Sequence, residues 1–244
     1  ILIEDTCESL GAKFKNKFLG TFGDFGTYSF YYSHQISSGE GGMVVCNNAS
    51  DYNILTSLRS HGWTRNLINK KKIEKKYSNL DNRFIFVNSG FNLRPTDVSA
   101  AIGSNQFKRL KNFIKIRKKN RSKIISAIKN SKKWKNQFNF LKINQKVNPS
   151  FFGFPIIISE KYKNAKKNFL KYLDKKGIES RPIISGNFLN QPAAKLFNFK
   201  QKSKNFPNAQ IVEDRGFFIG LHTKKINNSK LKLLVDNLLS IDKN

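Results

Sequence analysis

The sequence predicts an α/β domain over residues 1–130 followed by a smaller α+β unit over residues 131–244. Three observations carry this reading. Short apolar runs, Ile1–Ile3, Tyr28–Tyr31 and Met43–Cys46, alternate with segments of helical spacing. A long apolar stripe follows at Val98, Ala101, Ile102, Phe107, Leu110, Phe113, Ile114, Ile124, Ile125 and Ile128, which is the face of a packed helical run. The composition then shifts across Ser131–Pro149, and a second alternation of strands and helices begins.

Ile1-Leu2-Ile3 reads as a buried strand with no turn or cap ahead of it, so upstream sequence is expected. Glu4 and Asp5 end that strand. Acids at the carboxyl end of a parallel strand sit where α/β sheets place ligand contacts, which makes Asp5 a candidate site residue. The competing reading is a helix cap, because Asp5-Thr6-Cys7-Glu8 places an acid three residues after Asp5. Lys13–Phe25 has the short apolar runs and glycines of a hairpin or winding loop.

The stretch Thr27–Gly42, TYSFYYSHQISSGEGG, is the most informative. It starts as a strand of aromatic and β-branched residues, turns polar through Ser33-His34-Gln35, and closes on Gly39-Glu40-Gly41-Gly42. Those glycines permit positive φ or close backbone approach. A strand that delivers one ionisable side chain into such a bend presents a reactive group, here His34; a structural histidine at a strand end is the alternative.

Asp51–Ser60 has helical spacing with Ser50 as its cap. Asn69–Asp81 is lysine-rich without a periodic apolar face and reads as an exposed excursion. Phe84–Val87 is strand-like, and Gly90–Asp97 leads into the long helical run, capped by Thr96, whose basic residues are expected to face solvent. In the second unit Phe151–Ser159 and Ile178–Ile183 are strand-like, and Ala165–Lys176 is an amphipathic helix ended by Gly177. Gly186–Pro192 is a loop, and Asn208–Gly216 and Ser229–Ser240 are helical, with Gly220-Leu221-His222 between them.

Composition removes several classes. No apolar run is long enough to cross a bilayer, and the first residues carry acids rather than a basic leader, so a cytoplasmic protein without membrane insertion is expected. Cys7 and Cys46 give no disulfide framework and too few thiolates for a four-cysteine metal site, so no metal is expected. The net charge of +29 invites a nucleic-acid reading. That charge is mostly lysine spread along the whole chain, the pattern of solvated faces rather than a patch, so no nucleic-acid partner is expected.

Five segments in order, Ile3–Ala12, Gly20–Asp24, Ser29–Tyr31, Gly39–Gly42 and Gly90–Arg94, resemble the DegT/DnrJ/EryC1/StrS sugar aminotransferase family along nearly the whole chain. The resemblance implies the fold type I architecture of pyridoxal-phosphate enzymes, with part of the large domain followed by the small one. It also implies nucleotide-linked keto sugars as substrates and homodimers that share active sites. In most of the family a lysine at the position of His34 tethers the cofactor. Histidine there resembles the 3-dehydratase branch, typified by enzymes of GDP-4-keto-6-deoxymannose, as do Pro149–Pro155 and Gly186–Pro192. A related branch carries an iron–sulfur cluster on downstream cysteines; Ser60–Asp81 has none, which disfavours that variant.

The resemblance therefore implies a dehydratase that uses pyridoxamine 5'-phosphate or pyridoxal 5'-phosphate to remove the C3 hydroxyl of a nucleotide-linked 4-keto-6-deoxy sugar, with glutamate as amino donor, for surface polysaccharide. The alternative is a relative with altered or lost activity. By position, His34 is the acid–base residue, Asp5 the partner of the pyridine nitrogen, and Ser29 a ligand of the cofactor phosphate. Glu8 lies near the ring, Asn92 reaches the neighbouring subunit's phosphate with Arg94 adding charge, and Arg181 and Asn187 fall in substrate-contacting sequence. The family's earlier segment, which completes the phosphate cup, does not occur in residues 1–244, so these residues alone are expected to bind cofactor weakly.

Overall fold

In a computed structural model, which describes residues Ile1–Lys243, the chain divides into two compact units. The first comprises residues 1–111 and 145–150, the second residues 112–144 and 151 onward. This division differs from a boundary at residue 130. The helix before that point contributes Ile124 and Ile128 to the core of the second unit, and residues 145–150 return to the first.

The first unit contains β1 (Ile3–Asp5), β2 (Lys13–Phe14), β3 (Lys17–Phe18), β4 (Phe25–Ser29) and β5 (Gly42–Cys46), then helices α1 (Ala49–Leu58), α2 (Lys70–Lys76) and α3 (Asp97–Phe107). β4 is central in the order β1-β4-β5, parallel to β1 and antiparallel to β5. The register pairs Ile3 with Phe25, Glu4 with Gly26 and Asp5 with Thr27. The parallel pair thus brings Asp5 and the end of β4 to the same end of the sheet. The expected hairpin is β2–β3, turned through Lys15 (φ 47°) and Asn16 (φ 67°).

Several local expectations change. The strand expected over Tyr28–Tyr31 runs instead over Phe25–Ser29, and Phe30 enters bonds that close the following loop: its N–H donates to the Gly41 carbonyl and its carbonyl accepts from Ser38 N. The cap of α1 is Asn48, not Ser50; its side-chain oxygen accepts from Asp51 N at 2.9 Å. The lysine-rich excursion contains α2, a short helix with no buried residue. Phe84–Val87 forms no strand but a 3-10 turn (Asn82–Phe84) and one bridge from Phe86 to Trp63. Thr96 caps α3 as expected, accepting from Ser99 N.

The helical run is broken at Lys108–Arg109, and α4 (Leu110–Lys129) follows. From Asn112 onward it belongs to the second unit. That unit contains β6 (Phe138–Phe140), β8 (Gly153–Ile158), α5 (Lys166–Lys175), β9 (Ser180–Arg181), α6 (Pro207–Arg215), β10 (Gly216–Gly220) and α7 (Asn228–Leu238), while β7 (Val147–Asn148) pairs with β2 of the first unit. The sheet order is β6-β8-β10-β9, all antiparallel. Ile128, Phe154, Phe169, Leu173, Phe217 and Leu238 are fully buried in one core, the apolar burial that holds this unit together.

Two basic residues of α4 contradict the expectation of a solvated face. Arg117 and Arg121 are buried, and their guanidinium groups donate to the carbonyls of Leu221 at 2.9 Å and Leu141 at 2.7 Å. Among the described residues no helix is long and apolar enough to cross a membrane.

Candidate active site

The carboxyl ends of β1 and β4 place Asp5, Thr27 and Ser29 together, since cross-strand partners share a face and side chains repeat that face every second residue. Asp5 Oδ1 accepts from Cys7 N at 3.1 Å and from Thr27 Oγ1 at 3.3 Å. No helix follows Asp5, so the capping alternative resolves into a local turn in which the carboxylate accepts from the amide two residues on. The Cys7 thiol first, then its amide and the Thr27 hydroxyl, hold the Asp5 carboxyl below the usual carboxylate range. Burial pushes the Cys7 thiol up, which keeps it a protonated donor. Ser29 Oγ accepts from Tyr31 N at 3.2 Å, leaving its own proton for another acceptor.

After Ser29 the chain bends. His34 N donates to Tyr31 O at 3.0 Å, and the imidazole meets the Tyr31 ring edge-on at 5.6 Å between centroids. The loop back to β5 uses two of the expected glycines in the left-handed region, Gly39 (φ 84°) and Gly41 (φ 153°). His34 Nε2 stands 3.9 Å from Glu8 Oε1. Asp5, Ser29, Glu8 and His34 therefore belong to one end of the sheet and its adjoining loops.

Sequence reasoning missed Glu4. Its carboxylate accepts from Gly20 N, Phe22 N and Gly23 N, clamping the loop that precedes β4. Partial burial works to raise its pKa; the three amides and Lys17 outweigh it, and the carboxyl lies below its ordinary range. The signal was present as an acid facing a Gly-rich segment across a parallel pair.

Asn92 and Arg94 are exposed. The backbone of Asn92 bridges Ser60, and His61 N donates to Phe91 O at 2.8 Å. This crossing depends on Gly62 (φ 85°), where a Cβ would stand 1.6 Å from the Asn88 carbonyl oxygen.

In the second unit, Arg181 lies exposed on β9 with its guanidinium 2.7 Å from Glu179 Oε1. Asn187 is 2% exposed, and its amide donates to Ser203 O at 3.0 Å and Gln210 Oε1 at 3.2 Å. Its backbone N–H donates to Glu213 Oε2. Both amide protons of Asn187 are thereby committed to holding its own loop, an arrangement different from the substrate contact its sequence neighbourhood suggests.

Residues 1–238 match the profile of the DegT/DnrJ/EryC1/StrS aminotransferase family. A relative from Escherichia coli O55:H7, GDP-4-keto-6-deoxy-D-mannose 3-dehydratase, is 40% identical over 226 residues, 91% of this chain and 56% of its own. A solved structure of a GDP-4-keto-6-deoxymannose-3-dehydratase variant with bound GDP-perosamine superposes with a TM-score of 0.85 at 37% identity, covering 98% of this chain and 60% of that one. Another, with a trapped PLP-glutamate geminal diamine, gives 0.81 at 36% identity and covers 95% and 59%. The chain thus spans between half and two thirds of the length of these relatives.

Proposed function

We propose that this chain, which belongs to the DegT/DnrJ/EryC1/StrS aminotransferase family and has the α/β fold of pyridoxal-phosphate enzymes of fold type I, serves a 3-dehydratase of a nucleotide-linked 4-keto-6-deoxy sugar. The observation that carries this reading is the imidazole of His34, on the bend after β4, where most of the family has a tethering amine. The 3-dehydratase relatives at 37–40% identity support it.

The donor set fits pyridoxamine phosphate: a carboxylate kept ionised at one strand end, a hydroxyl with a free proton at the next, and a mostly covered imidazole. When bound, that group supplies an electron sink that makes the proton on its methylene removable and the neighbouring C3 hydroxyl of the sugar a leaving group. Asp5, ionised through the physiological range, holds the ring nitrogen in its protonated form. Ser29 Oγ–H donates to the phosphate. His34 carries no amine to tether the cofactor; its imidazole accepts a proton and returns it to the departing hydroxyl oxygen. Glu8 faces the imidazolium so formed. With glutamate as the amino donor and reductant, the balanced outcome would be one 3-deoxy-4-keto sugar, one ammonia and one 2-oxoglutarate for each sugar and glutamate consumed.

We assign Asn92 and Arg94, exposed on the first unit, to the cofactor phosphate of a second copy in a homodimer. Arg181 is assigned to the anionic sugar nucleotide, and Asn187 to shaping the loop beside it. The setting is cytoplasmic surface-polysaccharide synthesis.

The test supplies the natural protein that carries this chain with pyridoxamine phosphate, glutamate and a GDP-linked 4-keto-6-deoxy sugar, and identifies the product by NMR. A 3-deoxy sugar with ammonia is expected; an amino sugar would defeat the reading.

A further inference from the structure

We infer that Gln35 is a positioning residue that fixes the spacing between His34 and Glu8. This rests on the reading of His34 as the proton-transfer residue. Adjacent in sequence, the two side chains have different surroundings: Gln35 is 1% exposed, while the His34 ring lies beside the Glu8 carboxylate. Gln35 Nε2 donates to the backbone carbonyl of Glu8 at 2.5 Å and to that of Ser150 at 3.0 Å. An amide nitrogen has two protons, so the pair of bonds uses its full donor capacity.

The placement of those bonds gives the residue its role. Bonds from His34 N to Tyr31 O, Ser38 N to Phe30 O and Gly39 N to Ser37 Oγ close the bend on itself. Gln35 ties it to two distant segments of the first unit. One is the turn after Asp5, gripped at the very residue whose carboxylate stands 3.9 Å from His34 Nε2. The other is the returning stretch 145–150, whose Val147–Asn148 pairs with Lys13–Phe14. Ser150 is itself buried, so its carbonyl finds no water to replace the lost donor. One buried amide thereby ties the main chain next to His34 to that of Glu8 and to that of Ser150.

The test uses Gln35→Met, which keeps the volume and removes both protons, and Gln35→Asn, which keeps the amide but shortens its reach by one methylene. Each is made in the natural protein. Turnover is expected to fall about tenfold to a hundredfold, the scale of an ångström of misplacement, while KM for the sugar nucleotide changes little. A second readout needs no turnover. The His34 ring resonance is assignable by its loss in His34→Asn. At fixed pH, Glu8→Gln is expected to move that resonance in the parent protein and to leave it unmoved in the Gln35→Met and Gln35→Asn backgrounds.

A purely structural Gln35 would lower the melting temperature but leave the response of His34 to Glu8→Gln intact in every background. That result, with unchanged turnover in the folded Gln35→Asn protein, would overturn the inference. If the parent protein makes no 3-deoxy sugar, the functional reading fails while the resonance measurement still decides the role of Gln35.

Discussion

His34 presents Nε2 to Glu8 Oε1 across 3.9 Å, with the imidazole side chain 13% exposed and the carboxylate side chain 47% exposed. A pair so open on one side adds little to stability, on the order of 1 kcal/mol or less. Glu8→Gln should therefore leave the melting temperature almost unchanged. Turnover should fall, by about tenfold if the carboxylate steadies the imidazolium with the strength of one hydrogen bond. Calorimetry beside steady-state kinetics checks both; a large loss of stability at full turnover would reverse the assignment.

His34→Lys restores an amine to the bend after β4. The variant should take up pyridoxal phosphate as a lysine-linked species with a visible absorption band, and lose dehydration. Absorption spectra after dialysis report the first outcome and product NMR the second. Persistent dehydration would remove His34 from its role.

Glu4 gives a prediction about acid stability. Its folded-state pKa is depressed by the amides of the Gly20–Gly23 loop against the opposing effect of burial. The stability it adds is thus present above its unfolded pKa of about 4.3 and is lost as pH falls through the lower folded value. Glu4→Gln should be destabilised by about 1–3 kcal/mol near pH 7, the range for lost charge-assisted bonds. The gap between variant and parent should close in strong acid. Denaturant unfolding at several pH values measures it; a gap that widens on acidification would contradict the account.

Gly62→Ala puts a methyl group into the Asn88 carbonyl at a left-handed backbone position. The crossing that carries Asn92 and Arg94 should open, at a cost of about 3 kcal/mol or more. Hydrogen exchange should show His61 N, which donates to Phe91 O, losing protection first. Wild-type protection there would show that the bend is not needed to hold Asn92.

What was legible in the sequence follows the range of the forces involved. The hairpin after Lys13 and the cap at Thr96 are set by residues within a few positions of each other, and they read correctly; the strand carrying Ser29 is legible but displaced, running Phe25–Ser29 rather than Tyr28–Tyr31. β10 is not legible: GFFIG is too short to separate from a helix end by periodicity, yet it pairs with both β8 and β9 inside the second unit. Arg117 and Arg121 were expected in solvent because a charge run looks alike on either face of a helix. Their burial depends on carbonyls 104 and 20 residues away. The candidate site divides the same way. A strand end flags Asp5 and the glycine-lined bend flags His34, while only the family resemblance picks out Ser29. The Glu4 clamp and the Gln35 bridge needed contacts 16 to 115 residues apart.

The most direct measurement compares His34→Asn with the parent protein, both loaded with pyridoxamine phosphate and given glutamate and the GDP-linked 4-keto-6-deoxy sugar, following ammonia and the sugar product together. The expected result is a variant that retains cofactor and sugar nucleotide but forms no 3-deoxy sugar and releases no ammonia. Formation of the 3-deoxy sugar at the parent rate would show that proton transfer does not depend on this imidazole.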